Sequence, residues 1–284
     1  MPAGRFAPSP SGDLHVGNLR TALLAWLFAR STGREFLLRV EDLDRVRAGA
    51  EARQLADLAA IGIDWDPPVV RQSERGELYS AAVAALDTYE CFCTRREILS
   101  APSAPHAPDG AYPGTCRDLT EAQRAERRAA RPAALRLRST VSEFTVHDVL
   151  HGEYTGTVDD LVLRRNDGTW AYNLAVVVDD AAQAVDQVVR GDDLLSSAPR
   201  QAYLATLLGQ RPPAYAHVPM VLGPTGARLA KRDGAVTLAQ RGGPAAVVPE
   251  LAASLGLMGD RPRDILAVFD PAALPRTPWT LPDL

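Results

Sequence analysis

The sequence predicts an α/β fold, and three observations predict it. Residues 5–30 have the pattern of a short strand, a rigid turn and an amphipathic helix. Residues 36–40 form a second apolar run that ends in acidic residues. From residue 133 onward, β-type segments become frequent again. A chain of 284 residues, 46% of them hydrophobic, is long enough for one large domain or two modest ones.

The first unit predicts an anion-binding site. A stiff turn rich in proline (residues 8–12) leads to a helix that ends near Gly33. The first N–H groups of such a helix point outward without intrahelical partners. His15, Gly17 and Asn18 lie at this helix start. A histidine can donate to a phosphate oxygen, and glycine allows a ligand to approach the backbone. A plain strand-to-helix turn with a surface histidine would fit the same short pattern.

The next elements continue the alternation of strands and helices. The strand at residues 36–40 places Glu41 at its carboxyl end, where open α/β sheets bind ligands. Helices are expected over residues 51–62 and 74–90. An arginine-rich helix at residues 120–132 is interpreted mainly as a solvated face, with a contact to a phosphate backbone as a second possibility.

Strands are expected through much of the second half. Alternating or β-rich segments follow residue 133, and residues 162–172 read as a hairpin on an Asp-Gly turn. The apolar run at residues 174–178 predicts a strand buried on both faces. A further strand places Arg190 at its end, a helix follows from about residue 197 to Gly209, and residues 217–222 predict another strand.

The three cysteines suggest a metal site. Cys91 and Cys93 precede an irregular, proline-rich segment at residues 100–115, and Cys116 follows it. A loop that returns one thiol to two others suggests tetrahedral zinc with a fourth ligand, for which His106 and Tyr112 are the candidates. Coordination chemistry alone favours the histidine, because a phenol must lose a proton of pKa ~10. Three reduced thiols without metal stay an alternative.

Composition excludes several classes of protein. The formal net charge is −4, so any RNA contact must come from local patches. There is no apolar run of membrane-helix length and no signal-peptide core, so a cytoplasmic protein is expected. Lys231 is the only lysine among 31 basic residues. It follows Ala230 rather than the glycine of a Walker A loop, and no kinase H-R-D occurs.

Two segments carry a resemblance to a known family. R-F-A-P-S-P-S-G-D-L-H-V-G-N at residues 5–18 resembles the first signature of class I aminoacyl-tRNA synthetases, in the form of the glutamyl branch. R-L-A-K-R at residues 228–232 resembles the second signature, KMSKS, with Ala230 in place of the middle serine. W-A-Y-N-L-A-V-V-V-D-D and V-V-R-G-D-D-L also resemble the glutamyl enzymes. The resemblance implies a Rossmann-like class I catalytic domain, which binds a nucleotide, with a zinc-containing insertion.

The resemblance also implies the site residues. His15, Asn18 and Lys231 are implied as catalytic, and together with Gly17 they would bind ATP. The implied glutamate pocket consists of Arg5, Phe6, Ala7, Pro8, Ser9, Glu41, Tyr172 and Arg190. Glu41 would receive the α-amino group, while two arginines match the two carboxylates of glutamate. Which arginine takes which carboxylate stays open.

Two features favour the glutamyl-Q tRNA(Asp) synthetase family over the protein-synthesis enzymes. Tyr112 and Cys116 match the spacing C-x-C…Y-x-x-x-C of that family, so Tyr112 is preferred as fourth zinc ligand and His106 is the reserve. The long helical region that grips the anticodon is not expected here. The predicted units are a first catalytic half (residues 1–86), an insertion with the zinc loop (87–160), a second catalytic half (161–240) and a short tail (241–284).

The resemblance implies a two-step reaction. Glutamate attacks the α-phosphate of ATP, with Mg²⁺, and the glutamyl group then passes to queuosine at the wobble position of tRNA(Asp). The zinc is expected to be structural, and the enzyme is expected to be a monomer. Two alternatives stay open: a synthetase that charges the ordinary 3′ end of tRNA(Glu), and a non-catalytic binding protein on the same fold.

Overall fold

A computed structural model describes residues 1–100, 111–227, 229 and 236–282. The strands are β1 (Ala3–Phe6), β2 (Glu35–Val40), β3 (Asp66–Arg71), β4 (Thr88–Cys91), β5 (Ala134–Leu137), β6 (Glu143–Asp148), β7 (Gly152–Thr157), β8 (Val162–Arg164), β9 (Val185–Gly191), β10 (Ala214–Val218), β11 (Val221–Leu222) and β12 (Trp279–Thr280). The helices are α1 (Val16–Ser31), α2 (Ala50–Ala60), α3 (Gly76–Ala84), α4 (Arg95–Ser100), α5 (Glu121–Ala130), α6 (Tyr172–Ala182), α7 (Ala198–Leu207), α8 (Pro244–Ser254) and α9 (Pro262–Leu266).

A seven-stranded sheet forms the centre of the molecule, in the order β3-β2-β1-β9-β10-β6-β7. The first five of these strands are mutually parallel, and their order is that of a Rossmann fold. The order in which strands are added to the sheet reverses between β1 and β9. β2 and β3 extend the sheet on one side of β1, and β9 and β10 extend it on the other side. In open α/β sheets, ligands bind outside the carboxyl ends of the strands at this point. The predicted α/β, Rossmann-like fold is confirmed. Arg5 and Arg190 are the second-last residues of β1 and β9, the two strands that flank the crevice expected at this point.

The main core surrounds α1. Its apolar residues pack with those of β1, β2, α8, α9 and the segment after β10. This helix is buried on most of its surface, since twelve of its sixteen residues are buried, and even Arg20 is only 2% exposed. Because most of its surface is buried, this one helix packs both against the strands β1 and β2 and against the C-terminal helices α8 and α9.

A second, antiparallel sheet has the order β4-β5-β8 and stands beside the cysteine region. Residues 87–160 contribute to both sheets, because β4 and β5 lie in the small sheet while β6 and β7 extend the large one. The pair β6-β7 is antiparallel, and β6 joins β10 through Asp148 and Tyr215. The strands predicted between residues 133 and 160 and the predicted arginine-rich helix are confirmed.

The assignment of residues 174–178 to a strand is wrong. These residues belong to α6, which packs against α3, α7 and β8. Leu174, Ala175 and Val176 are at most 2% exposed. A short apolar run fits a buried helix as well as a buried strand, and only the surrounding packing decides between them.

Three other boundaries differ from the expectation. The helix predicted over residues 74–90 ends at Ala84, and the chain turns into β4. In the predicted hairpin, the turn forms with Gly168 at φ 86°, but only an isolated bridge between Arg164 and Trp170 follows before α6 begins. The strand expected at residues 217–222 is divided into β10 and β11, because Pro219 has no N–H to continue the pairing.

Candidate active site

The loop after β1 is held in place by two neighbouring elements. Gln54, on α2, is 3% exposed and donates through Nε2 to the carbonyls of Ser9 and Gly12 at 3.1 and 2.6 Å. The backbone N–H of Glu41 donates to the carbonyl of Pro8 at 3.0 Å. These hydrogen bonds therefore hold residues 7–12 rigidly beside the carboxyl end of β2, next to Glu41.

His15 caps the first helix. Its Nδ1 accepts from the backbone N–H of Asn18 at 3.2 Å, and Asn18 Oδ1 accepts from the backbone N–H of His15 at 3.1 Å. This is a reciprocal capping box. Because Nδ1 accepts a hydrogen bond, the neutral imidazole carries its proton on Nε2. The cap thus selects the tautomer that can donate to a phosphate oxygen at the start of α1.

The segment that follows the second signature, and Leu229 within that signature, lie against the first one. The backbone N–H of Val16 donates to the carbonyl of Val236 at 2.8 Å, and His15 forms a β-bridge with Thr237. Leu229 joins the hydrophobic core that contains Val16. Lys231 itself, with Arg228, Ala230 and Arg232, lies outside the described residues.

Four charged side chains are connected behind the crevice. Asp180 Oδ1 accepts from Arg39 Nη1 at 2.7 Å and from Arg5 Nε at 3.3 Å. Arg39 Nη2 also donates to Glu41 Oε1 at 3.4 Å. Burial alone would raise the pKa of Asp180, but the two arginines lower it, so this carboxylate is ionised. For Glu41 the balance is opposite, because burial raises the pKa more than Arg39 and Arg5 lower it.

Arg190 has a different environment from Arg5. Its Nε donates to Nε2 of His217 at 2.9 Å, its Nη1 to Oε1 of Gln201 at 2.7 Å, and its Nη2 to the carbonyl of Leu194 at 3.4 Å. Among the described residues, no carboxylate forms an ion pair with Arg190, although the side chain is buried. A buried cation with neutral partners is ready for an anionic ligand.

Tyr172 is the first residue of α6. Although 41% of its surface is accessible, desolvation raises the pKa of its phenol. The carboxylate of Glu41 raises this pKa further, while Arg190 and Arg5 lower it. The charges of two predicted arginines and of Glu41 therefore act on the Tyr172 phenol.

The three cysteines form a compact cluster. Their sulfur atoms lie within 4.8 Å of one another, with 3.6 Å between Cys93 and Cys116. The hydroxyl of Tyr112 lies 3.3 Å from the sulfur of Cys91 and accepts from the backbone N–H of Cys116 at 2.8 Å. A regular tetrahedron with Zn–S distances of ~2.3 Å has edges of about 3.8 Å, so this donor set fits zinc. The alternative ligand His106 lies outside the described residues.

The sequence reasoning missed the residues that support this site. Gln54 holds the loop, Arg39 and Asp180 connect Arg5 to Glu41, and His217 contacts Arg190. Asp180 lies in a segment that resembles the glutamyl enzymes, and His217 lies in a predicted strand. Neither residue was predicted to have a role in the site. A possible signal was their polarity at positions where the pattern predicts burial, since a buried polar residue needs a partner.

Comparisons with known proteins agree with this geometry. Residues 3–268 match the family model for the catalytic domain of class I tRNA synthetases of the E and Q type. A glutamyl-Q tRNA(Asp) synthetase of Nocardia farcinica is 70% identical over 290 residues, covering 99% of this chain and 93% of its own. This chain belongs to the glutamyl-Q tRNA(Asp) synthetase family. The resemblance inferred from the two signatures is confirmed.

Other members of the glutamyl-Q tRNA(Asp) synthetase family show the same likeness. The protein of Cutibacterium acnes is 62% identical over 241 residues, covering 83% of this chain and 70% of its own. A solved glutamate tRNA ligase of Elizabethkingia meningosepticum, in complex with its amino acid, superposes with a TM-score of 0.82 at 26% identity. That alignment covers 98% of this chain and 66% of the ligase, so this chain spans about two thirds of the ligase.

In the part of the chain that the structure describes, residues 1–100, 111–227 and 236–282, none of the helices combines the length and the apolar composition needed to cross a bilayer.

Proposed function

We propose that this protein activates glutamate with ATP to glutamyl-adenylate, independently of tRNA, and transfers the glutamyl group to queuosine at the wobble position of tRNA(Asp). The observation that carries the proposal is the crevice between β1 and β9. It combines two buried arginines, one carboxylate and a histidine-capped helix start, in a chain that is 70% identical to a glutamyl-Q tRNA(Asp) synthetase.

The charges of the crevice match those of glutamate. Glu41 accepts the α-ammonium group, and its ionisation is favoured when that cation arrives. Arg190 takes a carboxylate, because its present partners are neutral and leave its charge uncompensated. Arg5 is already paired with Asp180, so it contributes a weaker field. Phe6, Ala7, Pro8, Ser9 and Tyr172 line the remainder of the pocket.

ATP binds at the start of α1. Nε2–H of His15 and the backbone N–H of Gly17 face the phosphates, because the N–H groups of Val16 and Asn18 already donate to Val236 and His15. Asn18 contributes to this surface by holding His15 in the capping box. Lys231 is assigned to the departing pyrophosphate, where a compact ammonium acts as a point charge. Mg²⁺ accompanies the ATP and reduces the charge of its phosphates. Catalysis then consists of positioning and charge stabilisation, with no covalent enzyme intermediate.

We assign one structural zinc ion to Cys91, Cys93, Tyr112 and Cys116. Four protein ligands complete a tetrahedron, so no position stays open for a water or substrate. Zinc would join β4 to the loop that precedes α5. We propose that the chain consists of the units 1–86, 87–160, 161–240 and 241–284, and that the enzyme is a cytoplasmic monomer.

The test has two assays. Glutamate-dependent exchange of pyrophosphate into ATP, measured without tRNA, is expected to be positive. Radiolabelled glutamate is then offered with tRNA(Asp) that contains queuosine, with tRNA(Asp) that lacks it, and with tRNA(Glu). Label on the queuosine-containing tRNA alone supports the proposal.

The other outcomes identify the alternatives. Label on tRNA(Glu) shows a synthetase that charges the ordinary 3′ end. Absence of exchange, together with measurable binding of glutamate or tRNA, shows a binding protein on a synthetase fold. Either result contradicts the proposed reaction.

A further inference from the structure

We infer that His217, fixed by Asp148, is a positioning residue for Arg190, and that this pair sets the affinity of the site for glutamate. The inference rests on the proposed function, because it concerns the carboxylate that Arg190 binds. Neither residue was expected from the sequence. Neither supplies a charge to which the substrate would bind directly.

Arg190, His217 and Asp148 form a relay, by which we mean a chain of two side-chain hydrogen bonds across three neighbouring strands. Arg190 on β9 and His217 on β10 are direct partners in the parallel register. Arg190 Nε lies 2.9 Å from His217 Nε2, and His217 Nδ1 lies 2.6 Å from Asp148 Oδ2 at the end of β6. His217 and Asp148 are both 0% exposed. Solvent therefore does not compete for these hydrogen bonds.

The protons of the relay can be assigned from hydrogen-bonding capacity. A guanidinium only donates, so Nε2 of His217 must accept and cannot carry a proton. Nδ1 then carries the proton and donates to Asp148. Asp148 is held in turn by the backbone N–H groups of Leu150, His151 and His217, at 2.8, 3.0 and 3.0 Å. The carboxylate thus selects one tautomer of a neutral imidazole.

A second arm fixes the other side of the guanidinium. Gln201 on α7 accepts from Arg190 Nη1 at 2.7 Å, and its own Nε2 donates to Oδ1 of Asn173 at 2.9 Å. This orientation of Gln201 is therefore defined as well. The Arg190 plane is held between two neutral acceptors, which restrict its rotation without neutralising its charge.

A neutral histidine has a specific advantage at this position. A carboxylate in direct contact with Arg190 would compete with the substrate, as Asp180 does for Arg5. Asp148 lies one imidazole farther away, so it orients the relay while the cation stays available. Rigid orientation of a fork-shaped donor increases both affinity and selectivity for a planar carboxylate.

The kinetic test compares three variants in glutamate-dependent ATP–pyrophosphate exchange. His217→Leu removes the acceptor, and we expect the KM for glutamate to rise roughly 10- to 100-fold, which corresponds to one lost hydrogen bond to a charged group. The KM for ATP and kcat should stay close to those of the wild type. His217→Gln retains one acceptor and one donor, so it should restore most of the affinity.

The matched control is Tyr203→Phe. Tyr203 is buried on the same helix as Gln201, and its hydroxyl bonds Thr140 rather than Arg190. This variant should have the wild-type KM. Thermal unfolding of every variant separates a lost fold from a lost contact. If His217→Leu folds and binds glutamate with an unchanged KM, or if its kcat and both KM values deteriorate together, the positioning role is wrong.

A spectroscopic measurement is independent of activity. The ¹⁵N chemical shifts of His217 in the free wild-type protein should report a protonated Nδ1 and an unprotonated Nε2. The opposite tautomer, or a doubly protonated ring at pH 7, would overturn the inference even in an active enzyme. Absence of exchange in the wild type with the expected shifts would instead remove the proposed function and leave the relay established.

Discussion

A side chain at position 17 would collide with the imidazole of His15. A Cβ atom built on Gly17 lies 3.0 Å from both Nδ1 and Cε1 of that ring, and 3.3 Å from Cβ of Val221. The glycine of the H-V-G-N segment therefore leaves room for the ring that caps α1. This role differs from the expected approach of a ligand to a bare backbone, although the two are compatible.

The first prediction follows from this contact. Gly17→Ala should displace the His15 ring by several tenths of an ångström and reduce kcat for ATP–pyrophosphate exchange by on the order of 10²-fold, because small misplacements of catalytic groups are costly. Gly76→Ala is the control, since a Cβ there meets only Trp170 Nε1 at an ordinary 3.6 Å. Equal activity of both variants would show that the ring position does not matter.

The second prediction concerns Lys231. Lys231→Ala should lower exchange by roughly 10²- to 10³-fold with the fold retained, because a fixed positive charge on the developing pyrophosphate is removed. Lys231→Arg keeps the charge but changes its shape, and we expect partial activity. Circular dichroism and thermal unfolding check the fold. Near-normal exchange in the alanine variant would exclude Lys231 from the mechanism.

The third prediction identifies the fourth zinc ligand. Metal analysis of the purified protein should find one zinc per chain, and Cys116→Ser should lose it. Tyr112→Phe should weaken zinc retention against a chelator, whereas His106→Ala should not. The reverse order of these two variants would make His106 the ligand, and protein that never contains zinc would leave three reduced thiols.

The fourth prediction is a pH dependence of stability. Burial and the charge of Arg190 lower the pKa of His217, against the opposing effect of Asp148. The unfolded chain binds a proton below about pH 6.5 while the folded state resists it, so stability falls as the pH decreases through this range. The contribution of one such group can reach about 1.4 kcal/mol for each pH unit.

Urea unfolding at pH 5 and pH 8 measures this effect. Wild-type protein should lose more free energy of unfolding between the two values than His217→Gln, because glutamine does not titrate. Both pH values lie above the ordinary pKa of aspartate, ~3.9, so Asp148 and Asp180 contribute little to the difference. Identical losses in the two proteins would contradict the assignment of a neutral His217.

The fifth prediction concerns Arg20. Its guanidinium donates to the carbonyl of Pro219, to Oγ of Ser254 and to the carbonyl of Ser254, at 2.9, 3.0 and 3.4 Å. Burial lowers its pKa to about 10, so it stays charged at pH 7. Arg20→Leu leaves buried acceptors without a donor and should cost about 3 kcal/mol or more.

The control for Arg20 is an exposed arginine. Arg261 has a side chain that is 78% accessible, and within the described part of the chain it forms an ion pair only with Asp264, three residues later. Arg261→Leu should change the free energy of unfolding by less than about 0.5 kcal/mol. Denaturant unfolding compares the two variants. A small effect of Arg20→Leu would show that these buried contacts are not required to join α1 to α8.

Features that depend on neighbouring residues were predictable from the sequence, and features that depend on distant residues were not. The strand, turn and helix of residues 3–31 were predictable, because their apolar period and their prolines act locally. The run at residues 174–178 was not, since five apolar residues fit either a helix or a strand. The thiol cluster was predictable from spacing, as two cysteines and a returning third define a small loop.

By itself, the sequence determined the family, the loop with His15 and Gly17, and the charges available for a substrate. These depend on residues that are adjacent along the chain or that match a motif. Only the tertiary structure decided that Arg5 is paired with Asp180 while Arg190 contacts neutral His217. The partners of a buried charge come from strands that are distant in sequence, and no local pattern specifies which of them will meet.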